Sequence, residues 1–135
     1  MDDIENNKVL VRAHLDAIWA GDDAAIRAQL AADFVDHAAP PGAPSGIAGV
    51  IEMAAGMRAT FPDMRVTIEQ SVAEGDRVAT YGTWRGTQKA PFLGVAASHK
   101  TITFTGMVFW RIVSGKIVER WATLDTASIM RQLER

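Results

Sequence analysis

Apolar positions recur at helical spacing through the first half of the chain and alternate with period two through the second. In "NNKVLVRAHLDAIWA", Val11, Leu15, Ile18 and Trp19 form one stripe, flanked by Leu10, His14 and Ala17, which predicts a helix. Gly21 ends it, and Asp22 or Asp23 is placed to cap a short second helix carrying Ile26 and Leu30. "DFVDH" is a brief extended piece, and the prolines and glycines of "AAPPGAPSG" make a loop. Ser45 or Gly46 opens a third helix with Val50, Met53, Ala54 and Met57 on one face, which "FPD" ends. From Met64 onward, Met64, Val66 and Ile68 alternate with polar residues. "EGDR" turns the chain back into "VATYGTWRGT", and the loop "QKAPFLGVAASH" leads to the long β-branched and aromatic run "KTITFTGMVFWRIV". "SGK" joins that run to "IVERWATLD" as a hairpin, and an amphipathic helix closes the chain. Helices followed by a meander of strands predict a single α+β domain over residues 1–135, with a curved antiparallel sheet wrapped on the helices around an apolar cavity. Gly82, Gly86 and Gly106, inside strand patterns, are the expected bends or bulges.

Composition narrows the partners. The 135 residues are 48% hydrophobic and 22% charged, ordinary globular usage. A net charge of −2 without a basic stripe argues against nucleic acid. There is no cysteine for a disulfide or a thiolate zinc site, and His14, His37 and His99 are scattered, so neither metal nor cofactor is expected. "MDDIENNK" lacks the apolar segment of a secretory signal, and no apolar run nears the ~18 residues of a membrane span. A cytoplasmic location follows as the expectation. "TITFTGMVFWRIV" is apolar on both alternating faces, so one face lines the core and the other is expected to pair with a second copy as a homodimer.

Several residues carry candidate chemistry, each beside a plain structural alternative. Asp125 ends the last strand pattern, where by alternation it shares a face with Trp121 and Thr123. It is either the N-cap of the closing helix or a working acid, since a carboxyl in an apolar pocket has its pKa raised toward neutrality. Alternation lets one of Asp36 and His37 point inward; His37 is favoured as a proton-exchanging group, with Asp36 the rival for substrate contact, or else one of the pair caps a turn before "AAPPG". His14 is a core histidine satisfied by one hydrogen bond or a cavity-lining group. Met57 and Phe61 continue a helix stripe, and Trp84 lies on a strand; all three are core packing or pocket wall. Trp121 is the expected platform for a flat substrate, and Phe92 and Leu93 either cover the cavity mouth or form a packed turn.

The ordered motifs "NKVLVRAHLDAIWAGDDAAI", "LAADFVDHAAPPGAPSG", "FPDMRVTIE", "AEGDRVATYGTWRGT", "PFLGV", "TFTGMVFWRI" and "GKIVERW…D" together resemble the SnoaL-like polyketide cyclases of the NTF2-like superfamily, over roughly residues 5 to 133. The resemblance implies a cone-shaped α+β barrel, usually a homodimer. It also implies ring closure of aromatic polyketide esters by intramolecular aldol condensation without metal or cofactor, and it places Asp125 at the acid/base aspartate. Two departures stand out: Arg120 where relatives commonly carry histidine, and Ala122 where an acid often follows the tryptophan. Alternation against an inward Asp125 puts Arg120 on the outer side of the sheet. The function expected is acid/base chemistry on a small hydrophobic carbonyl compound. The alternatives are an isomerase, dehydratase or epoxide hydrolase in the same pocket, or a non-catalytic protein that binds a small ligand.

Overall fold

The computed structural model describes residues 3–134. Helix α1 (Asp3–Ala20) is followed by α2 (Asp23–Gln29), β1 (Leu30–Asp36), α3 (Gly46–Thr60), β2 (Arg65–Glu74), β3 (Arg77–Thr87), β4 (Thr101–Val113), β5 (Lys116–Leu124) and α4 (Thr126–Leu133). The expected caps form: the Asp22 side chain accepts the Ala25 N–H, and Ser45 occupies the N-cap of α3, without a side-chain hydrogen bond. Leu30, expected on the second helix, instead begins β1.

The strands lie in the order β1-β5-β4-β3-β2, forming a curled sheet that does not close. The meander β2–β5 is antiparallel as expected, but β1 pairs with β5 in parallel, so the sheet is mixed. The β4–β5 connection is the two-residue turn foreseen at "SGK", with Ser114 and Gly115 both at positive φ, which matches the twist of a tight hairpin. Burial alternates strictly along β4. Ile102, Phe104, Val108, Trp110 and Ile112 are buried toward the helices, while Met107, Phe109 and Val113 are exposed on the outer face. Each buried side chain of this size contributes about 1.5–3 kcal/mol. The inward row therefore holds α1, α3 and α4 against the sheet, together with Val11, Ile26, Phe61, Ile129 and Leu133.

Of the strand glycines, Gly82 lies across from a bulge in β2, whereas Gly86 and Gly106 sit at no register shift. Gly82 pairs with Gly106 and Gly86 with Ile102 in unbroken register. Gly82 makes room for the Trp84 indole, which a Cβ would meet at 3.2 Å, and Gly106 for the Leu124 side chain, which a Cβ would meet at 2.4 Å, as well as for that indole at 3.2 Å. The irregularities lie between Ile68 and Gln70 in β2, opposite Gly82, between Leu30 and Val35 in β1, and at the β4–β5 step where Arg111 and Ile112 face Glu119 and Ile117. The last inserts Val118 and reverses which residues of β5 point inward, with consequences for the site.

Candidate functional site

The parallel β1–β5 pair sets Asp36 beside Arg120, and the antiparallel β4–β5 pair sets Arg120 beside Trp110. These three residues form a row on the inner face, facing the helices. Arg120 donates from Nη1 to both carboxylate oxygens of Asp36 at 3.1 Å. Both side chains are largely withdrawn from solvent, at 19% and 12% exposure. The guanidinium carbon lies 5.6 Å from the centroid of the Trp110 ring, a cation–π contact. Trp110 is itself buried and donates its indole N–H toward Thr80 Oγ1.

From α1, His14 meets the same indole edge-on at 5.6 Å, and its Nδ1 is 2.8 Å from Gln29 Oε1 at the end of α2. Burial, opposed by the Gln29 hydrogen bond and reinforced by the nearby Arg120 charge, holds the imidazole pKa below its usual value. The loop of residues 38–45 runs from the end of β1 to α3. With α3 it walls a pocket of about 170 Å³ whose lining includes Phe34, Asp36, Pro40, Pro44, Val50 and Met53.

One residue along each strand, the opposite face carries a second row. His37 stacks on Trp121 (4.8 Å, 10° between planes), and Phe109 meets Trp121 edge-on at 6.4 Å. Arg77 lies over the same indole at 5.2 Å. With Tyr81, Gln70, Val72 and Met107 they shape a trough of about 550 Å³ across the outer face of the sheet.

The structure thus divides the residues singled out in the sequence. Asp36 and His14 come together inside; His37 and Trp121 come together outside. The expectation that His37 points inward is corrected: Phe34 is buried, so its alternation partner Asp36 goes in and His37 goes out. Arg120, expected on the outer side, is inside, because the extra residue at Val118 shifts the phase of β5 after the buried Ile117. Trp121 is for the same reason not a platform within the cone. Asp125 does not project into a cavity. It is exposed, it is the N-cap of α4, and its Oδ1 accepts the Ser128 N–H at 3.0 Å. Leu124 and Arg120 pair with Gly106 and Trp110, so Asp125 lies about 16 Å along the strand from Arg120.

Phe61, Trp84 and partly buried Met57 pack toward the other end of the inner face. Trp84 stacks on Phe104 (5.6 Å, 4°), and Phe61 meets Phe92 edge-on at 5.2 Å. Phe104 is about 20 Å along β4 from Trp110, so these aromatics are distant from the Asp36–Arg120 pair. In the "PFLGV" loop Phe92 packs inward, whereas Leu93 is half exposed. Gln88, fully buried, ties that loop down by donating to the Ala90 and Val95 carbonyls and accepting from Ser98. Gln29 and Gln88 lie outside the quoted motifs, and the motifs that contain Trp110 and Arg120 do not show that these two side chains meet inside. Only the burial of Phe34, two residues before Asp36, was a usable local sign of which side faces in. Among the described residues no three His, Asp or Glu side chains gather as a metal site, and no helix is long and apolar enough to cross a membrane.

A sequence profile described as SnoaL-like polyketide cyclase matches residues 8–133. The chain belongs to that family. Solved structures agree. TsrD from Streptomyces laurentii superposes with a TM-score of 0.88 at 25% identity, covering 98% of this chain and 97% of that one. IdmH from Streptomyces antibioticus, described as a candidate polyketide cyclase, gives 0.83 at 31% identity over 96% and 99% of the two chains. AclR from Streptomyces galilaeus, described as a candidate hydroxylase, shares the fold at 0.84 and 23% identity over 98% of each chain. One architecture thus carries differently described members, and activity has to be argued from side chains. No curated protein matches the sequence significantly. This member turns Arg120 into its interior, and Ala122, next inward along β5, offers no carboxylate there.

Proposed function

We propose that this SnoaL-like protein is a cyclase-type enzyme that performs acid/base chemistry, without a cofactor, on a small hydrophobic carbonyl compound held at the inner end of the cone. The observation that carries the reading is the Arg120–Asp36 pair, largely withdrawn from solvent against Trp110, with Asp36 also lining the pocket walled by the 38–45 loop. Aldol closure places negative charge first on an enolate oxygen and then on an alkoxide. A guanidinium held by a carboxylate that lines the pocket is suited to both, because a preorganised donor in a water-poor site needs no reorganisation as charge develops. Only Nη1 is engaged by Asp36, so Arg120 keeps donors for a substrate oxygen. The pocket is smaller than the ~300–1,000 Å³ of typical ligand sites, so a ligand of polyketide size requires the 38–45 loop to move outward.

The outer trough is larger, and we assign it to a second copy of the chain rather than to substrate. Phe109, Met107, Val72 and Val35 lie on the outer face at 45–64% exposure, and Arg77, Arg111, Asp76 and Glu119 supply charges around it. An apolar centre with a charged rim is the anatomy of a self-complementary interface.

The reading is tested by incubating the protein with aromatic β-keto esters and following the cyclised product by chromatography and mass. Product from the wild type, lost in Asp36→Asn/Arg120→Met, is expected. Tight binding of such esters without turnover would favour the ligand-binding alternative, for which the already paired Asp36 is the observation in favour.

A further inference from the structure

We propose that the 38–45 loop is a lid on the pocket of about 170 Å³, and that Asp36 couples it to Arg120, so that the lid lifts only as the ion pair loosens. The inference rests on the reading of that pocket as the ligand site and supplies the motion which that reading requires. Ala39, Pro40, Ala43 and Pro44 line the pocket from the loop, and Asp36, Gly49 and Val50 line it from β1 and α3. Residues 37–45 are also exposed throughout, so the loop stands between the pocket and water.

The loop is fastened at both ends. At its start, Asp36 Oδ1 accepts two hydrogen bonds, from Arg120 Nη1 at 3.1 Å and from the Ala38 backbone N–H at 2.9 Å. A carboxylate oxygen has lone pairs for both, and each donor orients it for the other. The His37 N–H donates to the Arg120 carbonyl at 2.8 Å, and the Ala39 N–H to the Asp36 carbonyl at 3.3 Å. At the far end the Pro44 carbonyl sits on α3 at Gly49. A Cβ there would overlap the Pro44 oxygen and stand 2.8 Å from its carbonyl carbon, so this seat exists only because residue 49 is glycine.

Between the fastenings the segment is built to move as one piece. Pro40, Pro41 and Pro44 fix their own φ, and the Ala43 N–H closes a turn onto the Pro40 carbonyl at 3.1 Å, with Gly42 at φ 83°. Gly46, at φ 68°, joins the piece to α3. An exposed loop gives up little burial when it rises, so the two fastenings are what resist. Raising Ala38 withdraws a donor from Oδ1 and turns the carboxylate away from Arg120. Conversely, a carboxylate that has lost its cation is only 12% exposed, and it regains water by rising with the loop. Asp36 is therefore a positioning residue, acting on the pocket through the loop and on Arg120 through the ion pair.

The chain has no cysteine, so Val50→Cys places a single thiol in the pocket wall, where the native side chain is 6% exposed. Its rate of reaction with DTNB in the ligand-free protein reports how often the lid lifts. A component of that rate that low urea leaves unchanged separates lifting from unfolding of the whole domain. In this background Arg120→Met should raise the urea-independent rate by about 5–150-fold, the usual span of a coupling between two sites. Where that variant does not fold, Asp36→Asn tests the same link, since it keeps an oxygen for Ala38 and loses the charge that grips Arg120. Reciprocally, Gly49→Ala unseats Pro44 and should at least halve the coupling between Asp36 and Arg120 in a double-mutant cycle. A rate unmoved by loss of the pair, or a coupling unmoved by Gly49→Ala, overturns the proposal. Slowing of the labelling by added 2-tetralone tests the ligand reading separately; its absence counts against that reading and leaves the lid measured without ligand.

Discussion

Replacing Asp36 by alanine leaves Arg120 inside without its counter-ion, and the structure sets the size of the effect. A fully exposed ion pair contributes about 0–1 kcal/mol, whereas removing one partner of a fully buried pair costs about 3–5 kcal/mol. Here the side chains retain 12% and 19% exposure, and the contact of Arg120 with Trp110 survives the substitution. A loss of about 2–3 kcal/mol follows. For a domain of this length, at about 3–4 °C per kcal/mol, the melting temperature should fall by roughly 6–12 °C. Because association of chains would add a concentration dependence, the comparison requires one protein concentration throughout. Urea unfolding followed by tryptophan fluorescence is the suitable assay, since Trp110 adjoins the pair. The double variant Asp36→Ala/Arg120→Met removes the orphaned charge and should recover more than half of the loss. A single-variant loss below ~1 kcal/mol, or two losses that simply add, would refute the picture of a withdrawn, mutually dependent pair.

Three further outcomes follow from the placement of other residues. Asp125→Ala removes the α4 cap and should cost about 1 kcal/mol in urea unfolding while leaving product formation unchanged; a large loss of turnover with normal stability would return Asp125 to the chemistry. His14 is held below its ordinary pKa of 6.5 in the folded chain, so its contribution to stability is complete above pH 6.5 and is lost as pH falls through and below that value; the stability of the wild type relative to His14→Gln should therefore decline from pH 7 to pH 5, and a flat difference would contradict it. Phe109→Glu puts a charge in the centre of the outer trough and should convert a dimer to a monomer by light scattering at micromolar concentration; a wild type that is itself monomeric contradicts the assignment of that face.

Most of the architecture was legible because it follows from local patterns. The alternation of "TITFTGMVFW" gives β4 and its two faces, "SGK" gives the hairpin turn, and Asp22 and Asp125 have the residue type and position of caps. The site was less legible because its composition depends on phase. Counting by twos from the buried Ile117 sends Glu119 and Trp121 inward. One inserted residue, Val118, sends Arg120 inward instead, and nothing in the letters "KIVERW" announces it. The parallel pairing of β1 with β5, which brings Asp36 to Arg120, joins residues 84 positions apart and has no local signature. Asp125 illustrates the converse: its position suited both cap and catalyst, and the direction of the chain after Leu124, set by the start of α4, placed it as a cap.

The account is tested most directly by a crystal structure of the protein with a non-reacting aromatic β-keto ester analogue. The account predicts the ligand beneath the 38–45 loop, with a carbonyl oxygen within hydrogen-bonding distance of Arg120 and its ring system against the apolar inner face. A ligand seated instead in the outer trough against Trp121 and His37, with the interior unchanged, would contradict it.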